Sequence, residues 1–106
     1  VVGWIQWDEE LEPDYKMASI DLYLDPQVRG RGLGVDAIRA VCRHLFEDRG
    51  HHRITIDPAA SNEAAIRCYT KVGFQPIGIG RRAERGSDGT WHDALLMDLL
   101  EGELTA

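Results

Sequence analysis

The chain lacks a long apolar run, a surplus of positive charge and a cysteine framework. No stretch approaches the roughly 20 consecutive apolar residues that a membrane span needs, so no membrane role is expected. Lysine and arginine total 12 against 18 aspartate and glutamate, a formal charge of −6. That balance argues against a nucleic-acid binder acting through bulk positive charge. Two cysteines, Cys42 and Cys68, do not make a disulfide scaffold. Both fall in helical patterns and read as small buried thiols of a reducing, cytoplasmic compartment. His44, His51, His52 and His92 show no ligand spacing among themselves or with the cysteines, so no metal site is expected. An initiator methionine is missing too. The chain opens on Val1-Val2-Gly3-Trp4-Ile5, without the basic segment or cleavage site of a signal peptide, and its beginning reads as missing or removed.

What remains describes a folded unit. A length of 106 residues suits one domain over residues 1–106. Hydrophobic residues at 43% and charged residues at 28% argue against disorder. Val1 to Trp7 reads as a strand, followed by an acidic loop from Asp8 to Tyr15. Met17 to Leu24 alternates with period 2 and predicts a second strand, ended by Asp25-Pro26. From Val35 to about Arg49 the apolar positions Val35, Ile38, Val41, Cys42, Leu45 and Phe46 form one helical stripe, stopped by Gly50. Arg53 to Asp57 predicts a short strand ended by Pro58. Ser61 suits an N-cap, and the second helix runs to Val72 and stops at Gly73, with Phe74 folding back on its last turn. Gln75 to Gly80 and Trp91 to Leu99 predict the last two strands, with a turn at Gly86-Ser87-Asp88-Gly89. Trp4, Trp7 and Trp91 fall on strands, where core is the default placement and cleft lining the alternative.

The order strand, strand, helix, strand, helix, strand, strand predicts an α/β (α+β) chain, with helices covering a mixed, mostly antiparallel sheet. The step around the first helix implies a parallel pair.

Between the second strand and the first helix lies Arg29-Gly30-Arg31-Gly32-Leu33-Gly34. Glycines here let the backbone approach a ligand closely, and the helix that follows offers free N–H groups and a positive dipole end. An anion such as a pyrophosphate is the natural guest. A P-loop is excluded because Gly34 is followed by Val35-Asp36 rather than Lys-Ser/Thr. The dinucleotide fingerprint fits Gly32-x-Gly34-x-x-Ala37 in form, with Asp57 ending the next strand. However, the residues from Asp25 to Arg31 make the turn too long, and the remaining chain is too short for a dinucleotide domain.

The second helix carries Asn62-x-x-Ala65-x-x-x-Tyr69-x-x-x-Gly73-Phe74. With Arg29-x-x-Gly32-x-Gly34 upstream, this pattern resembles the GCN5-related N-acetyltransferase (GNAT) superfamily over essentially the whole chain. The resemblance implies a GNAT-like sheet lacking the opening strand, two helices and second strand, and acetyl-CoA as cofactor. The pyrophosphate would lie on the amides of Gly30, Arg31, Gly32, Leu33, Gly34 and Val35, with Arg29 adding charge. Asn62 would bond the pantetheine arm, and Leu22 or Leu24 would give the backbone N–H for the oxyanion. Tyr69 would be the general acid.

The segments around Ile54-Thr55-Ile56-Asp57-Pro58 and Arg67-Cys68-Tyr69 look most like the aminoglycoside 6'-N-acetyltransferase branch. That branch implies Asp21 and Asp57 as carboxylates for a small polycationic amine, with Asp21 also relaying the amine's proton. The acidic loop agrees with a cationic acceptor, and equally with a solvated loop. A siderophore-type lysine N-acyltransferase and a non-catalytic coenzyme A-binding module remain as alternatives. A cut-off edge strand would leave room for a homodimer.

Overall fold

The computed structural model describes residues 3–24 and 33–105. Its elements run β1 (Gly3–Glu10), β2 (Met17–Leu24), α1 (Leu33–Glu47), β3 (Arg53–Ile56), α2 (Glu63–Val72), β4 (Gln75–Arg85) and β5 (Trp91–Leu100). The five strands make one sheet in the order β1-β2-β3-β5-β4. The β2–β3 pair is parallel and the other neighbours are antiparallel. This is the mixed, mostly antiparallel arrangement that the element order implied.

Period-2 alternation decides which face is buried. Ala18 and Ile20 of β2, Ile54 and Ile56 of β3, and Met97 and Leu99 of β5 point to one side. There they meet Ile38, Cys42 and Leu45 of α1, and Tyr69 and Val72 of α2, in a single core. Each fully buried aliphatic side chain contributes about 1.5–3 kcal/mol. Both helices therefore lie on the same face. The intervening residues, among them Ser19, Asp21, Thr55 and Asp98, look out from the other.

Local chemistry sets the helix ends. Gly50, with φ 70°, follows the last turn of α1. The N-cap of α2 is Asn62 rather than Ser61: its Oδ1 accepts the Ala65 N–H at 3.1 Å. Both residue types can cap, and the chain uses the second. At the other end the Gly73 N–H reaches the carbonyls of Tyr69 and Thr70. Gly73 has φ 122°, and a Cβ there would fall 2.4 Å from the Glu103 carbonyl oxygen. Phe74 is buried and packs edge-on against Tyr69, with ring centroids 6.0 Å apart.

Several elements differ from the sequence reading. Strand β1 continues through Asp8, Glu9 and Glu10, which pair with Ser19, Ala18 and Met17. The acidic segment is thus strand before it is loop. Strand β4 runs to Arg85 instead of stopping at Gly80, because irregular pairing between Gly80 and Glu84 interrupts the alternation without ending the strand. Trp4, Trp7 and Trp91 are exposed rather than core. Trp7 lies edge-on to His44 of α1 at 5.8 Å. Among the described residues, no helix is long and apolar enough to cross a membrane, and no group of His, Cys, Asp and Glu could hold a metal ion.

Candidate active site

The site begins with a failure of strand pairing. β2 is held to β1 along its whole length, from Glu10↔Met17 to Gly3↔Leu24. Its described pairing with β3 is confined to Ala18↔Ile54 and Ser19↔Thr55. Beyond Ile56 the chain follows β5 instead. Leu95 N–H donates to the Pro58 carbonyl at 2.8 Å, Ala60 N–H donates to the Asp93 carbonyl at 2.9 Å, and Ala59 bridges Ala94. Pro58 has no N–H to offer β2, which helps the two strands to part. One half-sheet stays with β1 and the other with β5, and a cleft of about 510 Å³ opens between them. That volume falls within the usual range for small-molecule sites.

Alternation then gives the cleft two mouths. Ile20 and Leu22 line its helix side, with Gly34 and Val35 from the first turn of α1 and with Asn62, Ala65, Cys68 and Tyr69 of α2. Asp21, between Ile20 and Leu22, belongs to the opposite face, and it lines the cleft with Asp57 and Glu84. The cleft therefore passes through the sheet.

Of the residues singled out in the sequence, Asp21, Leu22, Gly34, Val35, Asp57, Asn62 and Tyr69 come together here. Leu24 ends β2 opposite Gly3, and Leu33 opens α1. Arg29, Gly30, Arg31 and Gly32 lie outside the described residues. Cys42 is buried, and burial pushes its thiol up to about 12. Cys68 is only half-buried and faces the cleft, against the expectation of two inert core thiols.

Electrostatics divide the two mouths. Burial is the main reason the Asp57 carboxyl titrates above its ordinary range, and the negative charges of Asp21 and then Glu84 add to it. Tyr69 is 5% exposed. Burial, then the neighbouring Cys68, Asp21 and Asp57, lifts its phenol above the usual value. The phenol therefore keeps its proton more firmly and remains a donor throughout the neutral range. Glu84 was not singled out in the sequence. It lies past Gly80, in a segment outside the strands the sequence predicts.

Comparison with known proteins places the chain among relatives. A model of the acetyltransferase (GNAT) family matches residues 1–74. An aminoglycoside N(6')-acetyltransferase type 1 of Klebsiella pneumoniae is 42% identical over 77 residues, which are 72% of this chain and 36% of that protein. A kanamycin resistance protein of Rhizobium radiobacter is 40% identical over 72 residues, 68% of this chain and 66% of that protein. The chain thus spans little more than a third of the first relative and about two thirds of the second. A ribosomal-protein-S5-alanine acetyltransferase from Vibrio fischeri superposes with a TM-score of 0.88 at 19% identity, over 99% of this chain and 57% of that one, a likeness of fold. With its motifs, its parted strands and a family match over most of its length, the chain belongs to the acetyltransferase (GNAT) family.

Proposed function

We propose that this chain carries the cleft of an N-acetyltransferase that moves the acetyl group of acetyl-CoA to a primary amine of a small polycationic acceptor, foremost the 6'-amine of an aminoglycoside. One observation carries the reading: a single cleft joins three carboxylates on the open face of the sheet to Tyr69 and the start of α1 on the helix face. The relatives named for aminoglycoside acetylation and kanamycin resistance support the acceptor class.

The residues present fit acetyl-CoA. Gly34 and Val35 put the first turn of a helix on the cleft wall, where N–H groups lack intrahelical partners and favour a pyrophosphate. Arg29, Gly30, Arg31, Gly32 and Leu33 would complete that cradle. The segment of β2 beyond Ser19, which includes Leu22 and Leu24, would offer the pantetheine amides and the oxyanion backbone groups not engaged with β3. Asn62 spends its Oδ1 on capping α2, so its amide NH2 would face the arm. When bound, the cofactor supplies an acetyl group activated as a thioester.

The chain's own residues do the rest. Asp21, Asp57 and Glu84 hold the acceptor's ammonium groups at the open mouth. The amine must be neutral to attack, and a carboxylate with raised proton affinity suits that proton; Asp57 meets the requirement, with Asp21 beside it as relay. Tyr69 holds a proton at its phenolic oxygen on the helix side, where a departing thiolate needs one.

The test is free-thiol release from acetyl-CoA by the intact protein against a panel of amines. The panel holds aminoglycosides with and without a 6'-amine, lysine derivatives, polyamines and a peptide N-terminus. Release confined to 6'-amino aminoglycosides is expected, with Asp21→Asn and Asp57→Asn weakening the amine more than the cofactor. Release with a different amine overturns the acceptor class. Silence with acetyl-CoA still bound overturns the enzyme reading in favour of a binding module.

A further inference from the structure

Glu84 reaches the cleft through an irregularity that costs free energy to keep. Strand β4 pairs Gly80 with Ala94 and Glu84 with His92, so Arg81, Arg82 and Ala83 stand opposite the single residue Asp93. Bulges of this kind re-aim the side chains that follow them. Its ends stand in van der Waals contact: a Cβ at Gly80 would lie 3.4 Å from that of Ala83. At its apex Arg82 has φ 49°, in the left-handed region, the one non-glycine residue to do so among those described. A side chain there is unfavourable unless the surroundings hold the backbone in place. One contact holds it: the Arg82 N–H donates to Asp93 Oδ1 at 2.9 Å.

Asp93 also works on the other wall. Its carbonyl accepts the Ala60 N–H at 2.9 Å, and its neighbour Ala94 bridges Ala59. These bonds anchor the segment between Asp57 and Asn62. One residue therefore ties the bulge that delivers Glu84 to the backbone that delivers Asp57.

We infer that Asp93 is a positioning residue for the acceptor mouth: its side chain latches the left-handed turn at Arg82, its main chain anchors the Asp57 segment, and together they set the spacing of the Glu84 and Asp57 carboxylates that receives a polycationic amine. The inference rests on the function proposed above. Asp93 touches neither the amine nor the cofactor in this role, and the neutral isostere can replace it, because an asparagine Oδ1 accepts the same N–H.

The test uses three variants of the intact protein. Asp93→Ala is expected to raise the acceptor KM about tenfold, the scale of one lost hydrogen bond to a charged group, while the acetyl-CoA KM stays within about twofold. Asp93→Asn is expected to restore most of the loss. Adding Arg82→Gly to Asp93→Ala is expected to recover part of it, since glycine adopts φ 49° without a latch. A second readout needs no turnover. Carboxyl NMR titration of Asp57 should move toward the ordinary aspartate range in Asp93→Ala as Glu84 moves away, and return in Asp93→Asn. An unchanged acceptor KM and an unchanged Asp57 titration in Asp93→Ala overturn the latch. Equal damage from Asp93→Asn and Asp93→Ala overturns it too, since that result assigns the effect to charge. If the wild-type protein transfers to no amine, the proposed function fails, and the Asp57 titration alone decides the latch.

Discussion

The seam between β2 and β3 has a closed end and an open end, and its acids behave oppositely at the two. At the closed end Glu9 of β1 meets His51 Nε2 at 2.6 Å and Arg49 Nη2 at 3.1 Å, both residues lying just ahead of β3. His51 is fully buried, its Nδ1 has no partner, and its Nε2 donates to the Glu9 carboxylate. Those hydrogen bonds, from His51 first and Arg49 second, hold Glu9 down at about 2. At the open end burial first, and then the charges of Asp21 and Glu84, push Asp57 the other way. The carboxylate at the closed end is paired within the chain. Carboxylates set against one another in a cleft suit the cationic acceptor proposed above.

The largest expected effect lies at the open end and concerns rate alone. Tyr69→Phe keeps the ring and its edge contact with Phe74, and removes only the hydroxyl. Turnover should fall by about 10²–10⁴, the usual share of a general acid, while acetyl-CoA binding and the melting temperature hold. Unchanged turnover would remove Tyr69 from the chemistry. The closed end should answer the reverse question. Ile54 is fully buried where β2 and β3 still pair. Ile54→Ala should cost about 2–5 kcal/mol of stability, read from a denaturation midpoint, with per-molecule activity retained in the fraction that stays folded. A loss of activity larger than the loss of folded protein would show that the two ends are not independent.

The sequence was most legible where the signal was local. Alternation in Met17–Leu24 and the apolar stripe of α1 needed only neighbours, and the element order then implied the parallel pair. Part of the cleft's helix side was visible as well, because Gly34, Val35, Asn62 and Tyr69, which line it, belong to contiguous motifs. Other features depended on partners distant in the chain. Glu9 looked like one more acid of a solvated loop, since the histidine that orders it lies 42 residues away. Glu84 stayed hidden because the bulge at Arg81–Ala83 breaks the period that marks a strand. Trp4, Trp7 and Trp91 read as core by residue type, yet an open sheet face and an edge-on contact with α1 hold two of them at the surface. Hydrophobicity does not record which face a helix will cover.

The finest test of the two ends is acid titration of stability, where their signs oppose. Glu9 titrates at about 2 in the folded chain, against 4.5 for the free group. Its contribution is therefore fully present above pH 4.5 and lost as pH falls toward 2. Glu9→Gln should lower the melting temperature at neutral pH and flatten its decline over that window. Asp57 is raised above its free value of 3.8. Its protonated form is the one the fold prefers, so its contribution is present below pH 3.8 and lost as pH rises through the elevated value. Asp57→Asn should consequently leave the neutral-pH melting temperature equal or slightly higher, with the gain absent at pH 3, even as it weakens the amine substrate. A fall in neutral-pH stability on that substitution would mean that Asp57 is paired like Glu9, and the open end would then be a second clasp with no demand for a cationic guest.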